Sequence, residues 1–448
     1  MKIVIVGAGK VGTQLCEDLS NEGHDIVLIE LSDYKLNQVI DKVDITGIVG
    51  NGANIQILEE VNMSDVDVFI AVTQKDEINL LSAVIAKKMG AENTIVRVRS
   101  TEYNDHLAFM KESFGISLMM NPDHQAASDI IQTLQYPSAH NVESFASNRV
   151  NLVEFVVENH SSLINQPLLS FRNNYGNVLV CVILRQGTVI IPDGSYSIQQ
   201  GDHIYVTGNP KDIREFLFRV NGKHKVKQVL IVGGGNITFY LCQYFEKLKI
   251  NVKVIENNPE VARRLAERFE HFEIILGDGT NQDFLIHQGL EHYDALVSLT
   301  GIDEENILIS MFASQHGVNR IVTKVNRRDL LKIVGDVGLQ TIITPKSIVA
   351  DHMISVVRAL HNSKGSNVEA LYRLIDNRVE ALQFKVSNQS QVINQPLKDL
   401  ITKKNLLIAY IIRNNELIFP GGMDCIQAND SVIVVSTTTL SDLDDILA

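Results

Sequence analysis

The sequence predicts an α/β protein in which a doubly wound parallel-sheet domain alternates with a small, β-rich α+β domain, the pair occurring twice. Three observations predict this. The short continuous apolar runs 3–6 and 229–232 each lead through a glycine turn into a helical pattern, the order expected of a buried parallel strand feeding a helix. The same series of motifs returns once, at a nearly constant offset. Each series is followed by alternating or β-branched runs broken by turn residues.

In the first series the strand Ile3-Val4-Ile5-Val6 enters Gly7-Ala8-Gly9-Lys10-Val11-Gly12, and a helix follows through Leu15, Cys16 and Leu19. A second strand, from Asp25 to Ile29, closes at Glu30. In the second series Val229 to Val232 enters Gly233-Gly234-Gly235-Asn236-Ile237-Thr238, and the strand from Val252 to Ile255 closes at Glu256. An offset of 226 relates Gly7 to Gly233 and Glu30 to Glu256. An offset of 227 relates Gly50-Asn51-Gly52 to Gly277-Asp278-Gly279 and Arg97 to Lys324. Thr73, Asp76, Glu77 and Asn79 answer Thr300, Asp303, Glu304 and Asn306 at that same 227.

The tails repeat too. Ile164-Asn165-Gln166-Pro167-Leu168 recurs letter for letter at 393–397, and Pro192 and Asp202 answer Pro420 and Asp430 at 228. The runs from Leu152 to Val157, Val178 to Leu184 and Ile204 to Thr207 read as strands, with Arg185–Thr188 and Arg413–Glu416 as hairpin connections. Polar stretches at 138–148, 221–225 and 362–367 read as linkers. The expected domains are therefore 1–137, 138–222, 223–362 and 363–448, which suits a chain of 448 residues, too long for one ordinary core.

With 45% hydrophobic and 21% charged residues the composition is that of a globular protein. The balance of 40 Lys+Arg against 53 Asp+Glu, net −13, disfavours nucleic acid and anionic lipid as partners. Cys16, Cys181, Cys242 and Cys425 form no CxxC pair and the histidines no HExxH, so no metal site is expected. The N-terminal apolar run stops at a glycine turn, unlike a signal peptide. The longest apolar runs, 178–184 and 406–412, fall far short of the ~20 residues that span a bilayer. A cytoplasmic protein is expected, without direct membrane insertion, any work at a membrane going through a partner.

Each glycine loop places backbone N–H groups and a helix N-terminus where a phosphate binds, and glycine permits the tight turn and the close approach. The acid that closes the next strand, Glu30 or Glu256, suits a ribose diol. No cation follows it in Leu31-Ser32-Asp33 or Asn257-Asn258, which disfavours a 2′-phosphate and hence NADP. NAD and an adenine mononucleotide such as ATP share the adenosine half, and the carboxylate does not separate them. Thr73-Gln74 and Thr300-Gly301 end apolar strands at the sheet edge where ligands bind, and Asn51 and Asp278 close the preceding strands there. Asp76-Glu77 and Asp303-Glu304-Glu305 start helices, where the dipole favours them. Arg97 and Arg99 alternate on one strand, placed either for a ligand phosphate or for surface ion pairs.

The two loops differ. Thr238 stands where the first loop has its third glycine, and its side chain is expected to loosen the helix–strand approach; Lys10 is answered by the uncharged Asn236. A tighter first site is the expectation. No histidine or lysine–carboxylate relay recurs between the repeats, so no catalytic residue is expected, and nucleotide binding without catalysis points to a sensor.

The order GAGKVG, Glu30, GNGA, AVTQKDEIN and RVRS, then a β-rich tail with INQPL and PDG, repeated once, resembles the TrkA family over essentially the whole chain. The resemblance implies alternating RCK-N and RCK-C domains, the RCK-N folds being Rossmann-like, in a regulatory subunit of a Trk potassium-uptake system. It implies a homo-oligomeric ring, of two or four chains, peripheral at the inner membrane face on a TrkH- or TrkG-type transporter. NAD(H), ATP or ADP in the RCK-N clefts would change the angle between domains and gate potassium flow. By that analogy the first site carries Gly7, Ala8, Gly9, Lys10, Val11, Glu30, Asn51, Thr73, Gln74 and Arg97. The second carries Gly233, Gly234, Gly235, Asn236, Ile237, Glu256, Asp278, Thr300 and Lys324. An NAD-dependent oxidoreductase, or a nucleotide-binding interaction protein tied to no transporter, are the alternative readings.

Overall fold

The computed structural model describes residues 1–104, 106–136, 139–145, 150–221, 226–327, 330, 339, 341–363, 368–375, 378–414, 416–438 and 440–448. They form two compact units, Met1–Ile131 with Val226–Ile354, and Gln132–Lys225 with Ser355–Ala448. Each unit takes one domain from each half of the duplication.

In the first unit six strands form one parallel sheet: β1 (Lys2–Val6), β2 (Asp25–Glu30), β3 (Thr46–Val49), β4 (Val68–Ala71), β5 (Asn93–Arg97) and β6 (Leu118–Met120), in the order β3-β2-β1-β4-β5-β6. The order reverses beside β1, the crevice at which open α/β sheets bind ligands. The central strands are buried on both faces, which is why they read as unbroken apolar runs. The helices are α1 (Lys10–Asn21), α2 (Asp33–Ile40), α3 (Ile55–Val61), α4 (Asp76–Lys88), α5 (Thr101–Asn104), α6 (Leu107–Phe114) and α7 (Pro122–Gln135).

The second half repeats the sheet as β12 (Gln228–Val232), β13 (Asn251–Glu256), β14 (Glu273–Leu276), β15 (Ala295–Ser298), β16 (Arg320–Lys324) and β17 (Thr341–Ile343), ordered β14-β13-β12-β15-β16-β17 and again parallel. Its helices are α10 (Asn236–Leu248), α11 (Pro259–Arg268), α12 (Gln282–His287), α13 (Asp303–Gln315) and α14 (Pro345–Ser363). The two sheets' domains meet through these helices. Asn121 Nδ2 donates to the Tyr240 hydroxyl at 2.9 Å in a buried bond, and Gln14 Nε2 donates to Asp351 Oδ1 at 3.1 Å.

The second unit packs two five-stranded antiparallel sheets. One runs β10 (Thr188–Ile190), β9 (Val178–Arg185), β11 (His203–Gly208), β8 (Val150–Val156), β7 (Ala139–Phe145), with helices α8 (Phe171–Tyr175) and α9 (Pro210–Asn221). The other runs β18 (Val368–Leu374), β19 (Val379–Lys385), β22 (Ser431–Ser436), β20 (Leu406–Arg413), β21 (Glu416–Ile418). Leu152, Cys181, Tyr205, Ala381, Tyr410 and Ile433 share one core between the sheets, and the Tyr410 hydroxyl donates to Thr207 Oγ1 at 3.0 Å. In each sheet an arginine grips a buried aspartate with two bonds: Arg185 reaches Asp202 at 2.7 and 2.8 Å, and Arg413 reaches Asp430 at 2.9 and 2.7 Å.

Two linker expectations change. The stretch 138–148 contains strand β7, paired with β8 at the edge of its sheet. An edge strand is held by backbone bonds to one neighbour, so its polar composition conceals it. Helix α14 runs on to Ser363, into the stretch 362–367, of which 364–367 lie outside the described residues, as do 222–225. Cys16, Cys181 and Cys242 are buried, and burial pushes the Cys16 and Cys242 thiols up to about 12. No helix among the described residues is long and apolar enough to cross a membrane.

Candidate nucleotide-binding clefts

At the end of β1 the chain turns through Gly7, whose φ of +106° is one that side chains rarely tolerate, and Gly7 N donates to Ile29 O at 2.8 Å. Helix α1 starts at Lys10 with Gly9 as N-cap, so no cap side chain takes up its first amides. A Cβ at Gly9 would meet nothing within 4 Å, whereas one at Gly12 would collide with the Gly7 carbonyl oxygen. The first loop therefore has room for a phosphate at Gly9 and an absolute need for glycine at Gly12.

The second loop repeats the turn, with Gly233 at φ +103° and Gly235 as the N-cap of α10, again without a capping side chain. Thr238 does not loosen it. The side chain is fully buried and its hydroxyl donates to the Gly233 carbonyl at 2.5 Å, closing the turn with a bond that the first loop lacks. Sequence reasoning weighed only the volume of the threonine and missed its donor.

The acids sit over the loops. Glu30 Oε2 accepts from Ala8 N at 2.7 Å and Oε1 from Ser32 N at 3.1 Å; Glu256 Oε2 accepts from Gly234 N at 2.5 Å and Oε1 from Asn258 N at 2.7 Å. A carboxylate has about four acceptor positions, so each keeps lone pairs for a ribose diol while these amides fix its orientation.

At the same edge, past the carboxyl ends of β4 and β5, lies an asparagine hub. Asn79 is fully buried; its Oδ1 accepts from Thr73 N and Oγ1 at 2.8 and 2.7 Å, and its Nδ2 donates to Thr73 O and Arg97 O at 3.0 and 2.9 Å. Asn306 does the same for Thr300 and Lys324: Oδ1 accepts from Thr300 N at 2.8 Å, and Nδ2 donates to Thr300 O and Lys324 O at 3.3 and 3.0 Å. The cations then fold back, Arg97 onto Thr73 O and Lys324 onto Leu299 O. Arg97 Nε is buried and without a hydrogen-bond partner among the described residues. Burial, and then the neighbouring Arg99, push the Arg97 guanidinium below its ordinary value; burial does the same to Lys324 against the pull of Asp123 and Asp303. An anion at either place would offset the cost of burying the charge.

The helix-starting acids do more than answer a dipole. Asp76 Oδ2 accepts from Arg99 N and Ser100 N, both at 2.8 Å, and Asp303 Oδ2 from Asn326 N and Arg327 N, both at 2.9 Å. They fix the chain leaving β5 and β16. Asn51 and Asp278 are occupied locally: Asn51 Oδ1 accepts from Ala53 N at 3.0 Å, and Asp278 Oδ1 from Thr280 N and Oγ1 at 2.9 and 2.7 Å. The Thr280 bonds hold the Asp278 carboxyl below the usual range. Val11 and Ile237 are buried in the first turn of their helices, and Gln74 is exposed. The loop, the acid, the threonine and the cation of each half thus gather at the carboxyl edge of one sheet, while Asn51 and Asp278 shape turns there.

Residues of the opposite half also reach these edges. Lys346 and Arg327 line a cleft of ≈ 430 Å³ with Ala8, Gly9 and Lys10, and Asp123 Oδ2 accepts from Asn236 Nδ2 at 3.3 Å. In the β-rich unit a separate cavity of ≈ 230 Å³ is lined by Phe171, Arg172, Pro192, Leu407 and Phe419 among others.

Fold and site define a duplicated Rossmann-type chain with a glycine-loop cleft in each α/β domain. Comparison with known proteins places it further. The TrkA-N domain model matches residues 3–122 and 229–345, and the TrkA-C domain model matches 152–218. The chain belongs to the TrkA family. It is 30% identical over 434 residues to a Trk system potassium uptake protein TrkA homolog of Archaeoglobus fulgidus, covering 97% of each chain. It is 28% identical over 440 residues to the Trk system potassium uptake protein TrkA of Vibrio alginolyticus, covering 97% of this chain and 95% of that one. Among solved structures it superposes on the GsuK RCK domain with a TM-score of 0.64 at 12% identity, over 98% of this chain and 92% of that one. The GsuK channel bound to NAD gives 0.64 at 11% identity, over 98% and 77%. That likeness establishes the RCK fold.

Proposed function

We propose that this chain is the nucleotide-sensing regulatory subunit of a Trk-type potassium-uptake system, with domains at 1–137, 138–222, 223–362 and 363–448. The observation that carries the reading is the pairing of Glu30 with Ala8 N and of Glu256 with Gly234 N, each at an uncapped glycine-loop helix. Such an arrangement fits a ribose and a phosphate at once. The relatives' names supply the system, and a GsuK channel structure carries NAD.

On this reading NAD(H), ATP or ADP lies along each loop: ribose on Glu30 or Glu256, phosphates on the amides after Gly9 and Gly235, further charge met by Arg97 or Lys324. Binding acts by shifting a conformational equilibrium rather than by catalysis. The chain assembles into a ring of two or four copies on a membrane transporter subunit of the TrkH or TrkG type, and is cytoplasmic. Potassium flux through the reconstituted transporter, with and without this chain at varied ATP/ADP and NADH, tests the reading. Flux that changes with nucleotide only when the chain is present is expected; flux indifferent to the chain overturns it.

A further inference from the structure

The cavity of ≈ 230 Å³ in the β-rich unit lies where the two five-stranded sheets meet, and no residue of the glycine-loop clefts lines it. Phe171, Val178 and Val180 line it from α8 and β9; Leu407, Ala409 and Phe419 line it from β20 and the residue after β21. An apolar hollow of about 150 Å³ inside a protein accepts a benzene ring. This one therefore takes a side chain the size of leucine or phenylalanine.

Two charged residues share the lining, Arg172 and Asp193. Both are exposed, and among the described residues neither forms an ion pair. Arg172 Nη2 donates to Phe419 O at 3.0 Å, which fixes the guanidinium against the second sheet and leaves its other N–H groups for an acceptor. Asp193 Oδ1 accepts from Ser195 N at 2.9 Å and from Ser195 Oγ at 2.6 Å. The Ser195 bonds hold the Asp193 carboxyl below its ordinary range, so it is ionised at neutral pH. Asp424, which also comes near the Arg172 guanidinium, gives its Oδ2 to the Gly421 amide at 2.6 Å.

The duplication sets these two charges apart from the fold. The offset of 229 that relates Leu168 to Leu397 places Ile401 against Arg172, and the offset of 228 that relates Pro192 to Pro420 places Gly421 against Asp193. Pairs that hold the sheets together, Arg185 with Asp202 and Arg413 with Asp430, occur in both tails. Arg172 and Asp193 occur in one tail only, so the shared fold forms without them.

A cation and an anion at the rim of an apolar hollow match a ligand with the reverse charges on one carbon and an apolar body. We propose that this cavity binds an apolar α-amino acid, its carboxylate on Arg172, its ammonium on Asp193 and its side chain between Phe171, Leu407 and Phe419. Such a ligand touches both sheets, so its binding stabilises their junction and gives the chain an input separate from the glycine-loop clefts. The proposal does not depend on the nucleotide reading.

Calorimetric titration of the full chain with L-leucine and L-phenylalanine tests it, beside 3-phenylpropionate, which lacks the ammonium, and 2-phenylethylamine, which lacks the carboxylate. The amino acids are expected to bind and to raise the melting temperature, and each analogue to bind about tenfold more weakly than phenylalanine, the size of one charge-assisted contact. Arg172→Gln and Asp193→Asn are each expected to lower the affinity for both amino acids by about tenfold, with unliganded melts close to the wild type. The analogue titrations use the wild type and decide the matter even where a variant unfolds. A wild type that binds neither amino acid, analogues that bind as tightly as phenylalanine, or folded variants with unchanged affinity overturn the proposal.

Discussion

Asn79 lies between Thr73 and Arg97 and ties the two together, donating from one Nδ2 to the carbonyl oxygens of both at 3.0 and 2.9 Å. Its own carbonyl oxygen takes the Thr73 amide and hydroxyl. The asparagine thereby locks the carboxyl ends of β4 and β5 in register, and Asn306 performs the same task in the second half.

Asn79→Ala should accordingly take a partner from the Thr73 amide and from the Arg97 carbonyl, while Thr73 O keeps only its bond from Arg97. A loss on the order of 3 kcal/mol is expected from unsatisfied groups of this kind. Denaturant unfolding of the full chain checks it. A variant as stable as the wild type would mean that the hub is dispensable.

Gly12 and Thr238 occupy the same loop position yet should lose stability on substitution for different reasons. Gly12→Ala drives a Cβ into the Gly7 carbonyl and must open the first loop, costing both stability and nucleotide affinity. Thr238→Val keeps the shape of the second loop and removes only the bond to Gly233 O, at about 1–3 kcal/mol. Melting temperatures of the two variants, and of Thr238→Ser, which restores the hydroxyl, separate shape from bonding.

Burial raises the Asp129 carboxyl from its ordinary 3.8 to about 6, against the lowering effect of its Gln125 bond. The folded state then binds more protons than the unfolded state between those two values, so this group's contribution to stability is full below pH 3.8 and is lost as pH rises through 6. Asp129→Asn should flatten the slope of melting temperature against pH across that window and gain on the wild type near neutrality. Parallel curves for the two proteins would contradict the assignment.

Much of this was legible in the sequence because the parallel strands are buried on both faces and the loops are built from glycine. Val4, Ile5, Leu230 and Ile231 could not be other than interior, and Glu30 and Glu256 kept their spacing from the loops. What stayed hidden depends on contacts between distant segments. Asp123 and Lys346, each next to the proline that opens its helix, are related by 223, not 227, because the connection from β5 to β6 is longer than that from β16 to β17. An alignment at constant offset sets Asp123 against Ala350 and loses the correspondence. Strand β7 was hidden by its polar composition, and the roles of Asp76 and Asp303 by the backbone amides they serve. Each compact unit draws on both halves, so dividing the chain at the repeat boundary would expose the surfaces around Tyr240 and Tyr410; the two sites are better compared by point variants of the full chain.

The central claim is that both glycine loops bind nucleotide through their strand-closing acids, and calorimetric titration of the full chain tests it most directly. The wild type should show two binding events per chain for the set NAD, NADH, ATP and ADP. Glu30→Gln should weaken one of them and Glu256→Gln the other, each by about ten- to a hundredfold, the value of a charged hydrogen-bonding pair. Titrations that neither substitution alters would place the nucleotide away from these loops and contradict the account.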